Sequence, residues 1–193
     1  MNASLGPRQL SLRRSLDVAC ALAGLALLSP VLVTLALWIL LCDGAPVLFS
    51  QVRVGRLGKH FRIWKFRTMR PGAAGGSITA AGDARITAAG AVLRKFKLDE
   101  LPQLFNVLVG HMSIVGPRPI VEAEVEKYQE NFGVYAAGRP GLTGLWQVKG
   151  RNTTTYEQRV AYDVEYLRNW SFFRDIGIIL VTVAHVIEGK GAY

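Results

Sequence analysis

The stretch KLDELPQL, residues 97–104, sets two adjacent carboxylates, Asp99 and Glu100, between leucines and just ahead of a proline. Two readings are open. Acidic side chains are favoured in the first turn of a helix, and proline is tolerated there because its missing N–H would be unpaired anyway. On that reading the pair merely starts a helix. The other reading is chemical. Arg94, Lys95 and Lys97 precede the pair and Arg118 follows it. Carboxylates can hold Mg²⁺ that is also bound to substrate phosphates, arginine grips phosphate oxygens in a bidentate fork, and an aspartate can itself attack phosphorus. The composition favours phosphoryl chemistry without naming a substrate.

Other chemistries find less support. GRLGKH, residues 55–60, lacks the spacing and the Lys-Ser/Thr ending of a phosphate loop. The three histidines, at 60, 111 and 185, have no zinc spacing, and the hydroxyls are too many and the histidines too few to argue a nucleophile triad. Cys20 and Cys42 both lie in an apolar run, where free thiols are expected.

That run positions everything else. Val18 to Cys42 is 25 residues without a charge, in a chain of 193 residues that is otherwise about one domain. It exceeds the roughly 20 apolar residues needed to cross a bilayer, and it is too long for a signal peptide's apolar core. Ser29-Pro30 divides it. Proline removes a backbone hydrogen bond and biases the residue before it away from helical geometry. Each half is about a dozen residues, roughly 18 Å of helix, short of a ~30 Å hydrocarbon core. A kinked spanning helix remains open, but Arg8, Arg13 and Arg14 precede the run and Arg53, Arg56, Lys59, Arg62 and Lys65 follow it. A single crossing would put one basic flank outside, against the positive-inside tendency; a helix-break-helix hairpin dipping into one leaflet keeps both flanks in the cytoplasm.

The net charge of +9 is concentrated. Between Gln51 and Lys97 eleven Lys/Arg face one acid, Asp83, and the remainder is nearly neutral. Such a patch suits the phosphates of lipid, nucleotide or nucleic acid, and the neighbouring membrane segment argues against nucleic acid. Strand-like pieces are expected over residues 46–66, a loop over 71–82, a helix over 87–97, an apolar helix running to about Val109, a loop pinned by prolines over 110–119, an acidic amphipathic helix over 121–132, a turn and strand over 139–150 and a helix over 155–169. The apolar stretch 176–187 is too short to span and reads as a core or interfacial helix.

Four motifs then carry a resemblance: KFRTM (65–69), ARITAAGAVLRKFKLDELPQLFNVLVGHMSIVGPRP (84–119), RPGLTGLWQVKGRN (139–152) and YDVEYLRNWSFFRDIGIILVT (162–182). Together they resemble the bacterial sugar transferases, the monotopic polyprenyl-phosphate phosphoglycosyl transferases, from about Asp17 onward. The resemblance implies a helix-rich α/β monotopic membrane protein, with a re-entrant helix-break-helix hairpin broken at Ser29-Pro30 in residues 1–44. Residues 45–193 would form a small cytoplasmic catalytic domain with interfacial amphipathic helices, seated on the cytoplasmic face of the bacterial inner membrane. It implies transfer of a sugar-1-phosphate from a UDP-sugar to undecaprenyl phosphate with release of UMP, starting synthesis of a surface polysaccharide. Asp99 would be the nucleophile, forming a covalent aspartyl phosphosugar, and Glu100 its partner, the two holding Mg²⁺ on the diphosphate. Lys65, Arg67, Arg94, Arg118 and Arg139 would bind phosphates or headgroups. The NWSFF and GAY pieces point to glucose or galactose rather than an acetamido sugar. The chain reads as the minimal catalytic form; its partners are the two substrates and cytoplasmic-leaflet lipids, with no nucleic acid and with a homodimer left open. On this resemblance the dyad and the helix start are compatible, since a helix N-terminus offers donors to an incoming phosphate.

A non-enzymatic alternative is a membrane-anchored protein using the basic patch to bind anionic lipid or nucleic acid. A second is an ordinary glycosyltransferase, which would release UDP. The topology has its own check: cysteine labels placed near Ser4 and near Gly191 should react from the cytoplasmic side alone, and labelling of the first from outside would mean a spanning helix.

Overall fold

The computed structural model describes residues 7–72, 83–150 and 154–188, so most of the loop expected over 71–82 lies outside the described residues. The chain begins with a single helix, α1 (Pro7–Asp43), of 37 residues, about 55 Å long at 1.5 Å per residue. A β-hairpin follows, β1 (Leu48–Val54) and β2 (His60–Phe66), antiparallel with Leu48 opposite Phe66 and Val54 opposite His60. Next come α2 (Ala88–Lys95), a 3₁₀ turn at Leu98–Glu100, α3 (Gln103–Leu108) and β3 (Ser113–Val115). Two 3₁₀ pieces lead to α4 (Phe132–Ala137) and β4 (Gly141–Thr143), then α5 (Leu145–Lys149), α6 (Tyr156–Arg168) and α7 (Phe172–Ile187). β4 pairs in parallel with β3, Ser113 opposite Gly141. The result is a helix-rich α/β fold with one long apolar N-terminal helix.

The break expected at Ser29-Pro30 is absent: α1 runs unbroken with Pro30 inside it. The reason is local. Pro30 has no N–H to give the Ala26 carbonyl four residues back, and the Ser29 hydroxyl donates to that same carbonyl at 2.9 Å. Thr34 Oγ1 likewise donates to the Pro30 carbonyl at 2.8 Å. The serine therefore supplies the bond that the proline removes, and the helix continues.

Both ends of α1 are fastened to the rest of the chain. Near the start, the Asp17 carboxylate accepts from Ser113 Oγ and from the Ile114 N–H, each at 2.8 Å. Arg13 Nη2 donates to the Val115 carbonyl at 2.6 Å, and Arg14 donates to the Val107 and Leu108 carbonyls at 2.6 and 2.7 Å. Arg14 thus closes the C-terminus of α3, where a cation is favoured. At the far end, Arg67 Nη2 donates to the carbonyls of Asp43 and Gly44, and Thr87 Oγ1 donates to Asp43 Oδ2 at 2.8 Å. Between these points, Ala21, Leu25 and Leu28 join a core with Leu104, Val107, Met112 and Ile178, while Leu32, Leu35 and Ile39 pack with Phe66, Leu93, Leu98 and Leu101. The opposite side of α1 stays apolar and bare, with Leu27 and Leu41 at 80% and 84% exposure. On α7, Asp175 and Ile178 face inward while Phe173, Leu180, Val183 and Ile187 are exposed.

Two expected elements differ. The acidic helix over 121–132 is instead two 3₁₀ pieces, Glu122–Glu124 and Glu126–Asn131, with Gln129 at φ 47°. Glu124 is turned inward, accepting from the Val121 N–H at 3.0 Å, and an outward acidic face cannot form around it. Residues 145–149 are helical rather than extended.

Tyr128 and Tyr135 fill the third core cluster with Val54, Ile120 and Val160. The Tyr128 hydroxyl donates to Asp163 at 2.7 Å, and burial pushes Asp163 up to about 6, against the Tyr128 bond, Arg159 and Arg118. A carboxyl whose folded value lies above its unfolded one is best tolerated neutral, so its contribution is fully present below about pH 4 and is lost as pH rises through 6. Asp163→Asn, which keeps an acceptor for Tyr128 without the charge, should therefore stabilise the protein by about 2–3 kcal/mol at pH 8 and hardly at all at pH 4. Denaturant unfolding at the two pH values measures this; an equal effect at both would show that Asp163 does not titrate as described.

Candidate active site

The Asp99-Glu100 pair belongs to neither neighbouring helix. Thr87 caps α2, its hydroxyl accepting from the Gly90 N–H at 2.9 Å; α2 ends at Lys95, and two residues on Lys97 takes the left-handed conformation at φ 55°. Glycine usually fills such a position, and a side chain there costs about 1–2 kcal/mol. The turn then passes directly into the 3₁₀ segment Leu98–Glu100 and on through Pro102 to α3. The flanking leucines hold the pair in place: Leu98 and Leu101 pack on Leu32, Leu35 and Ile39 of the apolar helix. Both leucines are partly buried there, so each contributes less than the roughly 1.5–3 kcal/mol of a fully buried leucine. The carboxylates are thereby aimed away from α1, toward β2 and the turn that carries Arg118.

Lys65 on β2 meets them. Its Nζ lies 2.7 Å from Glu100 Oε1, and Arg118 Nη1 lies 3.7 Å from the same oxygen. Burial alone would raise Glu100, but Lys65, Arg118 and Lys97 outweigh it and hold its carboxyl well below the usual range. Asp99 is treated differently. It is buried, and among the described residues it has no such direct ion pair; desolvation pushes it up to about 6, with Lys65, Arg94 and Arg118 pulling down and Glu100 pushing up. Two adjacent carboxylates are thus split into a firmly anionic, ion-paired Glu100 and a more basic Asp99.

Arg94 is fixed by Nε donating to Thr68 Oγ1 at 2.8 Å. Gly90 makes this contact reachable, because a Cβ there would stand 2.2 Å from the Thr68 carbonyl. The loops around Arg118 are equally tight: a Cβ on Gly141 would fall 2.1 Å from the Gly116 nitrogen. Lys65, Arg94 and Arg118 therefore converge on the pair.

Arg67 and Arg139 do not. Arg67, 5% exposed, has its guanidinium on the carbonyls that end α1. Arg139 Nε donates to the Gly110 carbonyl at 2.9 Å, beyond the end of α3, among Arg56, Arg14 and Arg13. Both are side chains that close helix ends in this structure. Ser29 and Pro30 lie within α1, remote in sequence and packing from the pair. Thr68, Gln103 and Arg53 were not among the expected site residues. Gln103 and Arg53 line the cleft with Lys65, Glu100 and Arg118. Thr68 sits within KFRTM and Gln103 within LDELPQL, so their motifs marked them, whereas Arg53 looked like one more charge of the basic patch.

With hard oxygen donors side by side and basic residues around them, Asp99 and Glu100 are of the class that binds Mg²⁺. Among the described residues no cluster of three or more His, Cys, Asp or Glu adds to them, so the other positions would fall to phosphate oxygens and water, as is usual for this ion.

Residues 8–189 match the family model for bacterial sugar transferases. The chain is 41% identical over 198 residues to the exopolysaccharide production protein ExoY of Rhizobium meliloti, covering 94% of this chain and 88% of that protein. It is 44% identical to the UDP-glucose:undecaprenyl-phosphate glucose-1-phosphate transferase of Caulobacter vibrioides, covering 94% of this chain and 72% of that one. It is 42% identical to the undecaprenyl-phosphate galactose phosphotransferase of Salmonella typhimurium, of which it spans 42%. A match from residue 8 to residue 189, with the carboxylate pair and its basic wall inside it, makes this chain a member of the bacterial sugar transferase family.

Proposed function

We propose that the chain is a phosphoglycosyl transferase that moves a hexose-1-phosphate, glucose or galactose, from a UDP-sugar to undecaprenyl phosphate and releases UMP, as the first membrane step of a surface glycan. The observation that carries this reading is the split dyad: a buried Asp99 with no ion pair among the described residues, next to an ion-paired Glu100, with Lys65, Arg94 and Arg118 around both. Relatives named for transfer to undecaprenyl phosphate support the substrate classes. Within the basic patch, Arg53 and Arg67 are engaged on backbone carbonyls and Lys65 on Glu100, pairings that a surface patch for lipid or nucleic acid does not need.

In the first step an Asp99 carboxylate oxygen bonds the sugar-bearing phosphorus, the P–O bond to the nucleotide breaks, and UMP leaves with the electron pair. In the second, an oxygen of undecaprenyl phosphate bonds the same phosphorus and the Asp99 carboxylate leaves. Lys65 and Arg118 stand beside the charge that builds on the phosphoryl oxygens, where preorganised donors contribute most. Mg²⁺, held by Asp99 and Glu100, would supply charge neutralisation on the diphosphate. Glu100 keeps Lys65 and Arg118 in place.

Both ends of α1 are bound to one body, so a crossing that separates them would tear the catalytic part away. We read α1 as embedded in the cytoplasmic leaflet of the inner membrane without crossing it, joined there by the apolar face of α7. The helix and the catalytic part, 1–44 and 45–193, act as one membrane-seated unit.

Incubation with a UDP-sugar and Mg²⁺ but no lipid acceptor should release about one UMP per active site and leave a sugar phosphate on Asp99, located by mass spectrometry. Asp99→Asn should abolish adduct and turnover, Glu100→Gln should slow both severely, and a chelator should stop UMP release until Mg²⁺ is restored. UMP release that requires undecaprenyl phosphate, with no trappable adduct, would point to direct transfer instead. Arg118→Ala should lower kcat/KM tenfold to a hundredfold, matching a lost charge-assisted contact of about 1.5–3 kcal/mol. Wild-type kcat/KM in that variant would remove Arg118 from the phosphate site.

A further inference from the structure

Arg53 lies on β1, outside the motifs that frame the dyad, yet it lines the same cleft as Lys65, Glu100, Gln103 and Arg118. Its guanidinium is oriented from one side. Nη2 donates to Gln51 Oε1 at 2.6 Å, and Nη1 donates to the Pro119 carbonyl at 3.2 Å. Its Nε is buried without a partner. Pro119 directly follows Arg118, and the next residue is tied down as well: the Val54 N–H donates to the Ile120 carbonyl at 2.9 Å, and the Ile120 N–H donates to Tyr135 Oη at 3.3 Å. Arg53 and Arg118 are therefore held on one rigid wall.

The charge on that wall is not balanced. The nearest acid to Arg53 is Glu124 at 3.8 Å, and Glu124 is shared with Arg159, whose Nη1 stands closer, at 3.2 Å. Burial, with Arg118 and Arg159 as like-charged neighbours, lowers Arg53 to about 10 despite Glu124. That downward shift is set first by burial, with Arg118 and Arg159 adding repulsion and the shared Glu124 offsetting only part of it. Arg118 and Arg53 are near enough for their charges to repel, Lys65 and Arg118 flank Glu100 Oε1, and Lys65, Arg94 and Arg118 act on Asp99. A diphosphate with its sugar-bearing phosphorus at Asp99 would carry its second phosphate within this same group of cations.

Resting on the reading of the reaction given above, we propose that Arg53 is a substrate-binding residue for the second phosphate, the one that leaves with the nucleotide. As Asp99 bonds the first phosphorus and the P–O bond breaks, the bond pair passes to the leaving phosphate, and Arg53 faces the charge that appears there. Product UMP then occupies the same position and is the natural probe.

The test uses the full chain in membranes or nanodiscs, with UMP as inhibitor of UDP-sugar turnover. Arg53→Gln should weaken UMP inhibition on the order of tenfold or more, as expected for a lost charge-assisted hydrogen bond, and raise KM in parallel. Arg53→Lys, which keeps the charge but not the fork, should weaken it several-fold less. An Arg53 that only braces Pro119 would change kcat and melting temperature while UMP inhibited the surviving activity as in the wild type; that result overturns the inference. Should the Gln variant fail to fold, the Lys variant decides alone, and unchanged UMP inhibition in it is equally fatal. Failure of the reaction itself looks different: a wild-type protein that neither releases UMP nor is inhibited by it sinks the reading on which Arg53 depends.

Discussion

One constraint governs this protein: its apolar helix is bonded at both ends to the body that carries the carboxylates. Asp17 and Arg13 hold the first end to β3, and Asp43 holds the last through Arg67 and Thr87. These are charge-assisted bonds to largely buried groups, whose loss would strand donors and acceptors away from water. A helix so fastened cannot change its depth in a bilayer without carrying the body along. Membrane position and site position are one variable.

The consequence reaches the chemistry through two leucines. Leu98 and Leu101 bracket the carboxylates and seat their turn on the same helix that exposes Leu27 and Leu41 on its other side. The alternation of leucine and acid in LDEL is therefore a partition: apolar side chains toward the membrane helix, carboxylates toward the basic wall. A lipid-borne phosphate emerging at the headgroup level would meet that wall without leaving its leaflet. This arrangement also explains the left-handed Lys97, since α2 must stop abruptly for the turn to face β2.

Much of this was legible before the fold was known, because it rests on local spacing. The carboxylate pair, its arginine and lysine neighbours, the helices beginning near Thr87 and Thr155, and the apolar run are all short-range signals. What escaped depended on pairing across the chain. Arg67 and Arg139 read as cations waiting for phosphates or headgroups, and Arg13 and Arg14 as a basic flank of the apolar run; in the fold backbone carbonyls take all four up, a use that no sequence window can reveal. The Ser29-Pro30 break failed for a different reason, since the rule that proline frees a carbonyl says nothing about which neighbour will satisfy it, and the preceding serine does. The acidic helix over 121–132 failed because Glu124 looks inward toward Arg53 and Arg159, two residues far away in sequence.

That inward network is the least economical part of the molecule. Burying Arg53, Arg159, Glu124 and Asp163 together costs several kcal/mol of desolvation per ion, and buried ion pairs seldom stabilise a fold more than apolar replacements would. Arg159 is sandwiched between Trp146 and Tyr156, 5.0 and 4.9 Å from the two rings, with its Nε and one terminal nitrogen unbonded. Stability alone gives no reason to assemble such a group. The proposed function does give one: if the site receives a highly charged diphosphate, cations held in place beforehand lose little when the anion arrives. On that reading the excess of positive charge behind the cleft is the standing half of an ion pair whose other half is the substrate.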